Sequence, residues 1–497
     1  MSTGASRFMS TASLRLPDEL PEAGLLVGWS LESQAPRRPI GFTYGNPLKT
    51  PATGYLDPIL LGSEGHLMTI APTGAGKGTG CIIPALLRYP GPVIVIDPKG
   101  ENVAVTARRR REMGQRVVVI DPMGVTDMAS DTLNPLDVID VSRTSGVDEV
   151  AALVQSLCTT LQDDRNRYWS NRGIHLLIGI VLQVLVDAKD GSGNLGAVRD
   201  MVNRAAADPK GVAELLLESR HPEVRRIAAM LNIGAPETLG GIVSFSQEMV
   251  DFLRGDQVQA SIARTSFDLA DVTSGAPLSI YLVLPPHMLE SHGRLLRLWL
   301  GSLVACITRR RARPAMSTLF MLDEAAQLGE LPQLRQAVTL LRGYGLHTWS
   351  FWQDASQLQL LYPRDWKTMV NNCHVLQCFG ALNQVAGDGM AELTGYRDGA
   401  AVLDLTRDEM VLQLAGDMAV PAKLPNYLSD PAFAGMFDPN PYHDRTRAVA
   451  PKVAAPQRMY ARPVRPDDES AGPLVGAVPQ DDALLASLAA GEGAAAP

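Results

Sequence analysis

The stretch Ala71-Pro-Thr-Gly-Ala-Gly-Lys-Gly78, followed by Thr79-Gly80, decides the fold of this chain. Apolar residues precede it at Leu67–Ile70, and Cys81–Leu87 after it can form a helix. A strand, a glycine-rich loop and a helix in this order are typical of a phosphate-binding loop. In such a loop the backbone N–H groups and the helix N-terminus face the phosphates, and a lysine, here Lys77, neutralises their charge.

The loop and the first turn of its helix are the expected phosphate-binding residues. They are Pro72, Thr73, Gly74, Ala75, Gly76, Lys77, Gly78 and Thr79. Ala71 and Gly78 depart from the usual G-x-x-x-x-G-K-[ST] pattern, and Gly78 stands where a hydroxyl residue normally binds Mg²⁺. Thr79 lies about 100° further round the helix, so it is only a second candidate for the metal. Taken alone, the loop also fits a glycine-rich turn that binds no nucleotide.

A second segment, Thr318–Glu324, is an apolar strand that ends in two carboxylates. Beside a phosphate-binding loop, Asp323 can hold Mg²⁺ and Glu324 can polarise the attacking water. Acidic residues also favour helix starts, so a plain strand-to-helix turn is the alternative for this segment alone. The two segments together predict a catalytic nucleotide site whose cofactors are ATP and Mg²⁺.

Short, unbroken apolar runs follow one another along the chain. They are Val93–Ile96, Val117–Ile120, Leu278–Leu284, Thr318–Leu322, His347–Phe351 and Val375–Phe379. Such runs suit strands buried on both faces, as in a parallel sheet covered by helices. Helical patterns alternate with them, notably over Leu295–Arg309 and Leu331–Leu341. The sequence therefore predicts a doubly wound α/β domain with a mostly parallel sheet.

The alternation breaks from about Val141 to Val272, where the periodicity is helical and no strand is predicted. We therefore expect an all-α insertion of domain size. The predicted organisation is an N-terminal extension over 1–40, an α/β domain in two parts over 41–140 and 273–438, the all-α domain over 141–272, and a tail over 439–497. The tail is rich in Ala and Pro, with few large apolar residues, and is predicted to be disordered.

Two further polar residues are catalytic candidates. Gln353 follows the strand His347–Trp352 and can sense the γ-phosphate, although a solvent-facing glutamine is equally compatible with the sequence. Arg342 follows the helix Leu331–Leu341, whose 11 residues span roughly 16 Å and carry it away from its own phosphate site. We predict that it acts as an arginine finger on a neighbouring subunit. An arginine that merely complements the helix dipole is the alternative.

Composition and charge exclude several classes of protein. The chain has 497 residues, of which 46% are hydrophobic and 20% charged, and a net charge of −8, so a uniformly basic DNA-coating protein is excluded. Five cysteines form no CxxC pair or metal-ligand spacing. No unbroken apolar run reaches the ~18 residues of a membrane-spanning helix. The best candidate, Ile174–Val186, is expected to be a buried helix, and the chain to be cytoplasmic.

Several short segments between Gly45 and Phe437 have the order and spacing of the motifs of a known protein family. They are Pro72–Gly78, Val95–Glu101, Asp121–Pro122, Asn134–Asp137, Tyr168–Trp169, Leu322–Ala325, Arg342–Gly345, Gln353, Leu405–Glu409 and Lys423–Leu424. Together they resemble the TraG-type conjugative coupling proteins, coupling ATPases of type IV secretion systems in the HerA-FtsK superfamily of RecA-like motors. A glycine at the position of Gly78 is familiar in that family.

The resemblance implies a RecA-like P-loop NTPase domain interrupted by an all-α domain, with six copies in a ring assembled on nucleotide or DNA. ATP hydrolysis would move single-stranded DNA with an attached relaxase, or a secreted protein, towards the components of a type IV secretion channel. The family usually carries N-terminal membrane helices, and we expect none in residues 1–40. Contact with the cytoplasmic face of the inner membrane is therefore expected only through a partner.

Two other functions remain open from the sequence. One is a different RecA-like DNA-pumping motor, against which the family-type helical insertion argues. The other is a non-hydrolysing platform that docks substrates for another ATPase. The presence of Lys77, Asp323, Glu324 and Gln353 argues against a platform without catalytic activity.

Overall fold

The structure, a computed structural model, describes residues 16–17, 20, 24–31, 57–62, 65–157, 167–188, 193–231 and 236–442. The disorder that we predict for the tail falls, from residue 443 on, outside these ranges. Most of the predicted N-terminal extension also lies outside them.

Eleven strands within the described ranges form one sheet. They are β1 Leu25–Ser30, β2 Pro58–Leu61, β3 His66–Ile70, β4 Val93–Ile96, β5 Arg116–Ile120, β6 Leu278–Leu282, β7 Thr318–Leu322, β8 Leu346–Trp352, β9 Cys373–Cys378, β10 Glu409–Leu414 and β11 Val420–Lys423. Their order is β2-β1-β11-β10-β9-β3-β8-β7-β4-β6-β5. All pairs from β9 to β5 are parallel, which confirms the predicted parallel α/β fold. The other four strands add an antiparallel flank beyond β9.

The antiparallel flank corrects the predicted N-terminal extension. We predicted that residues 1–40 lie outside the α/β domain, but Leu25–Ser30 is a strand of the sheet, between β2 and β11. Trp29 is fully buried there, and its Nε1 donates a hydrogen bond of 3.0 Å to Asp430 Oδ2. The strand was missed because its partner β11 lies near the other end of the described chain, so nothing in the surrounding polar sequence indicates the pairing.

The helices lie between the strands and on both faces of the sheet. They are α1 Ile83–Arg88, α2 Glu101–Glu112, α3 Gly146–Leu157, α4 Arg167–Asp187, α5 Leu195–Ala207, α6 Pro209–Leu217, α7 Pro222–Leu231, α8 Pro236–Val250, α9 Asp256–Ser261, α10 Leu269–Ser274, α11 Pro286–Thr308, α12 Pro332–Leu340, α13 Ala355–Leu361, α14 Trp366–Asn371, α15 Gln384–Thr394 and α16 Gly399–Leu403. A π-helical turn, Gly78–Ile82, leads into α1.

Only helices and turns occur between β5 and β6 in the described residues, from α3 to α10. This insertion is tied to α11 of the α/β part at its beginning. Arg309, the residue after α11, forms an ion pair of 2.6 Å with Glu149 of α3. In the segment that leads to the insertion, Leu133 O accepts a hydrogen bond of 2.9 Å from Trp299 Nε1 of α11. The insertion and one face of the sheet share a continuous apolar core. Its domain boundaries at residues 140 and 272 stay predictions.

Helix α4 is the longest apolar helix of the insertion. Within the described part of the chain, its segment Tyr168–Asp187 is the one helix long and apolar enough to cross a membrane by length and composition, with a mean hydropathy of 1.3. About 61% of this apolar stretch is buried inside the structure, where α4 packs against α7 and α8. Packing within the helical insertion therefore accounts for its apolar sequence.

The opposite face of the sheet is covered by α1, α2 and a strap of irregular chain, residues 424–442. The strap contacts the π-helical turn before α1 and also α2: Tyr427 N donates to Thr79 O at 3.3 Å, and Asp438 N to Val105 O at 3.0 Å. At its start Leu424 is buried against the helix that follows the phosphate-binding loop. The strap thus holds the loop and its helix against the sheet.

Candidate functional site

The phosphate-binding loop leaves the carboxyl end of β3, near the middle of the parallel strands. Gly74 and Gly76 have φ of 80° and 103°, in the left-handed region that glycine adopts without strain. Lys77 reaches back over the loop, and its Nζ donates to Ala71 O at 3.0 Å. The ammonium is thus held over the loop, where it can meet phosphate oxygens.

The first helical turn shows what each residue after Lys77 can do. A Cβ at Gly78 would have no atom within 4 Å, so the position that normally carries the metal-binding hydroxyl is open space. Thr79 Oγ1 donates to Gly76 O at 3.1 Å and so points back towards the loop. A Cβ at Gly80 would lie 2.6 Å from Leu424 Cγ, which explains the glycine there. Thr79 as a metal ligand stays a prediction.

Glu324 is the most strained residue of the site. Its φ is 51° and ψ 47°, and among the residues that the structure describes it is the only non-glycine residue with positive φ. Such a conformation costs about 1–2 kcal/mol, and strain of this kind persists where the surrounding structure enforces it. Here it turns the carboxylate towards the loop: Oε1 lies 3.7 Å from Lys77 Nζ, and Oε2 accepts a hydrogen bond of 2.9 Å from Gln353 Nε2.

Three of the predicted catalytic residues therefore meet at one place. Lys77 follows β3, Glu324 follows β7, and Gln353 follows β8, which lies between those two strands. The carboxyl ends of parallel strands lie at the same edge of a sheet, so residues far apart in sequence converge there.

Asp323 lies directly beside this group. Glu324 N donates to Asp323 Oδ1 at 3.0 Å. Removal from water, and then repulsion from Glu324, raise the pKa of Asp323 to about 6, while the positive charge of Lys77 opposes the rise. An ionised oxygen ligand facing the loop suits Mg²⁺, which takes few protein ligands and otherwise water and phosphate oxygens. No group of three His, Cys, Asp or Glu side chains arranged for a metal occurs in the described ranges.

Asp97, which the sequence analysis did not select individually, ends β4 next to Asp323. Ile96 pairs with Leu322, so the two carboxyl groups follow neighbouring strands at the same level. Asp97 is 1% exposed and accepts hydrogen bonds from Val103 N at 2.8 Å and Asn102 Nδ2 at 3.2 Å. Burial raises its pKa to about 7. Its contacts fix the start of α2 and place a second acidic group under the site.

Arg342 is not brought to this site. It is exposed in the turn Leu341–Tyr344, before β8, at the edge of the sheet where the parallel strands begin. The seven residues of β8 separate that edge from Gln353 by roughly 20 Å. The turn is anchored by Arg310, which donates to the carbonyl oxygens of Tyr344 and Gly345, both at 3.0 Å. Arg342 therefore does not contact its own nucleotide site, and its action on a neighbouring subunit stays a prediction.

A second loop, which the sequence analysis missed, touches the phosphate-binding loop from the other side. Gly380 follows β9 with φ of 76°, and a Cβ on it would lie 2.6 Å from Ala75 Cβ. The only sequence signal was a glycine just after the apolar run that became β9. The phosphate-binding loop thus lies between the carboxyl ends of β8 on one side and β9 on the other.

These features have the geometry of a P-loop nucleotide-binding site. A lysine over a glycine-rich loop can neutralise phosphate charge. A carboxylate with a glutamine partner on the intervening strand can orient a water molecule.

Known proteins share this organisation. The family model described as "Type IV secretory system Conjugative DNA transfer" matches residues 42–397. A conjugal transfer protein TraG of Escherichia coli is 26% identical over 459 residues, covering 78% of this chain and 71% of that protein. A second TraG of Escherichia coli is 27% identical and covers 66% of this chain and 55% of its own length. The coupling protein VirD4 of Bartonella quintana is 24% identical, covering 59% and 47%.

Solved structures share the fold. Plasmid coupling protein TrwB in complex with the GTP analogue GDPNP superposes with a TM-score of 0.54 at 16% identity, over 73% of this chain and 85% of TrwB. TrwB in complex with ADP and Mg²⁺ gives the same TM-score at 15% identity, with the same coverage. The RecA-like fold and the resemblance to coupling proteins are thus both confirmed. With the family model spanning most of its length, the chain belongs to the type IV secretory system conjugative DNA transfer family.

Proposed function

We propose that the chain hydrolyses ATP with Mg²⁺ and uses the energy to feed single-stranded DNA with an attached relaxase, or a protein effector, into a type IV secretion channel. The observation that carries the proposal is the position of Glu324. One of its carboxylate oxygens faces Lys77 on the phosphate-binding loop, and the other is held by Gln353. A carboxylate so oriented beside the phosphate site is placed to act on water.

The side chains have distinct roles in this proposal. Lys77, which contacts Ala71 O and Glu324, would turn to the phosphates of the nucleotide. Glu324 is then released from Lys77 and can accept the proton of the attacking water. Gln353 keeps the carboxylate aimed during this change. When bound, Mg²⁺ supplies positive charge to the phosphates, and Asp323, with Thr79 as the second candidate, would hold it.

Assembly and cargo are further parts of the proposal. We infer a ring of six copies, as the resemblance to coupling proteins implies. Arg342, exposed far from its own site, would complete the nucleotide site of a neighbour. The helical insertion would receive the relaxase or effector, since in the described residues it carries neither glycine loop nor strand-end carboxylate. Work at the cytoplasmic face of the inner membrane, reached through other secretion components, is supported by the family.

The test is ATP turnover by the purified chain, with and without single-stranded DNA. The proposal predicts Mg²⁺-dependent hydrolysis that single-stranded DNA stimulates. A docking platform would bind substrate without hydrolysis, and another DNA-pumping motor would respond to duplex DNA instead. The family match favours the coupling role over both.

A further inference from the structure

Two large apolar side chains are exposed near the phosphate-binding loop, Leu382 in the loop after β9 and Val385 in the first turn of α15. Leu382 is 81% exposed and Val385 83%, whereas Gly380, just before them, touches Ala75. A single exposed leucine needs no explanation, but neighbouring apolar residues next to a binding site often contact a ligand. Their position raises the question of which part of the nucleotide they meet.

The orientation of the nucleotide follows from the residues around Lys77. Glu324 and Gln353 mark the end where the γ-phosphate reacts, on the side of β8 and β7. The strand on the other side of β3 is β9. A nucleotide whose γ-phosphate lies towards β8 therefore extends its ribose and base towards the loop after β9.

That loop is fixed in place. Asn383 Oδ1 accepts a hydrogen bond of 3.0 Å from Ala386 N, which caps α15 and sets the direction of the chain at Leu382. On the outer side, β10 runs antiparallel to β9, so its first residues reach the same edge. There Asp408 is held by Lys423 at 2.6 Å and by Thr406 Oγ1 at 2.7 Å. Exposed apolar side chains and the hydrogen-bonded Asp408 thus lie at the edge of the sheet beyond the phosphate-binding loop.

We infer that Leu382 and Val385 form the apolar wall against which the base and ribose of the bound nucleotide lie. The inference rests on the proposed nucleotide binding and assigns to this loop the part of the affinity that comes from the nucleoside. The phosphates are bound by the loop after β3 and its Mg²⁺, not by the loop after β9. Removing the wall therefore weakens binding of a nucleotide but not binding of a polyphosphate that lacks a nucleoside.

The experiment compares two ligands on the full-length chain by calorimetry: ATP and inorganic tripolyphosphate, each with Mg²⁺. For Leu382→Ser and Val385→Ser we expect ATP to bind about tenfold more weakly, as for loss of one well-buried aliphatic contact. Tripolyphosphate should bind to both variants with the same affinity as to the wild-type chain. Both side chains are exposed, so neither change disturbs the core. Leu382→Met, which keeps an apolar surface, should retain most of the ATP affinity.

Leu360 is the matched control. It is 80% exposed on α13, which follows Gln353 and so lies on the γ-phosphate side of the site. Leu360→Ser should leave the affinity for both ligands unchanged. Unchanged ATP binding in Leu382→Ser and Val385→Ser would overturn the inference, and an altered oligomer size in those variants would identify a subunit contact instead. An equal loss of affinity for ATP and for tripolyphosphate would also overturn the inference. If the wild-type chain binds no ATP, the proposed function itself fails.

Discussion

Gln353 and Glu324 are joined across neighbouring strands by a hydrogen bond of 2.9 Å, from the glutamine amide to the Oε2 atom of the carboxylate. Glu324 reaches this position only because its backbone adopts the left-handed conformation, with φ of 51°. The two residues thus form a preset pair, in which the glutamine aims the group proposed to activate water.

Loss of the Gln353 amide should therefore reduce the rate of hydrolysis and spare nucleotide binding. For Gln353→Ala we expect kcat to fall by roughly 10- to 100-fold, as for loss of a group that positions a general base. The Kd for ATP should stay within about twofold. Steady-state kinetics and calorimetry on the same preparation test this. A variant with unchanged kcat would show that the bond has no role in catalysis.

The close approach of Leu424 to Gly80 predicts a packing defect. In Gly80→Ala the new methyl carbon meets Leu424 at 2.6 Å, so the strap or the helix after the loop must shift. Overpacking of this kind costs about 1–3 kcal/mol, seen as a lower melting temperature. The double variant Gly80→Ala with Leu424→Ala should recover part of the loss that the glycine change causes. Gly240→Ala, in a helix with no atom within 4 Å of the new carbon, is the control and should not lower the melting temperature.

Asp97 predicts a defined pH dependence of stability. Its pKa in the folded chain, about 7, lies above the ordinary value of 3.8, so the folded state binds its proton more tightly than the unfolded state. Its contribution is fully present below about pH 4 and is lost as the pH rises through 7. From pH 5 to pH 8, the free energy of unfolding of Asp97→Asn should therefore rise relative to that of wild type. We expect a rise of roughly 1–4 kcal/mol. Melting curves at both pH values test this, and a constant difference between the two proteins would contradict it.

Arg342 predicts complementation between subunits. Arg342→Ala and Lys77→Ala should each lose most ATP turnover. Mixed rings of the two variants contain some sites with both residues intact, so part of the turnover should return. Arg311→Ala, at an exposed arginine that follows the anchoring Arg310, should keep its turnover. If no mixture exceeds the sum of its parts, Arg342 does not act across an interface.

The parallel part of the sheet could be predicted from the sequence because its strands are buried on both faces. The run Thr318–Leu322 is apolar throughout and coincides with β7. β8 extends its predicted run, His347–Phe351, by one residue at each end. Such strands show their burial locally, and a glycine-rich loop marks the strand that binds phosphate. The approximate position of Lys77, Glu324 and Gln353 at one edge followed from this reasoning.

The remaining features depend on contacts between distant segments. β1 belongs to the sheet because Trp29 and Ser30 pair with β11, and no local pattern indicates that pairing. The left-handed backbone of Glu324 is unusual for this residue type, and only its neighbours in space explain it. The approach of Gly380 to Ala75 likewise depends on β9 lying next to β3.

The most direct test of the account is ATP turnover of the wild-type chain and of Glu324→Gln, with Mg²⁺, in the presence and absence of single-stranded DNA. We expect single-stranded DNA to stimulate ATP hydrolysis by the wild-type chain. Glu324→Gln should bind ATP with wild-type affinity but turn it over at least about 100-fold more slowly, because only water activation is lost. Wild-type turnover in Glu324→Gln, or hydrolysis indifferent to single-stranded DNA, would contradict it.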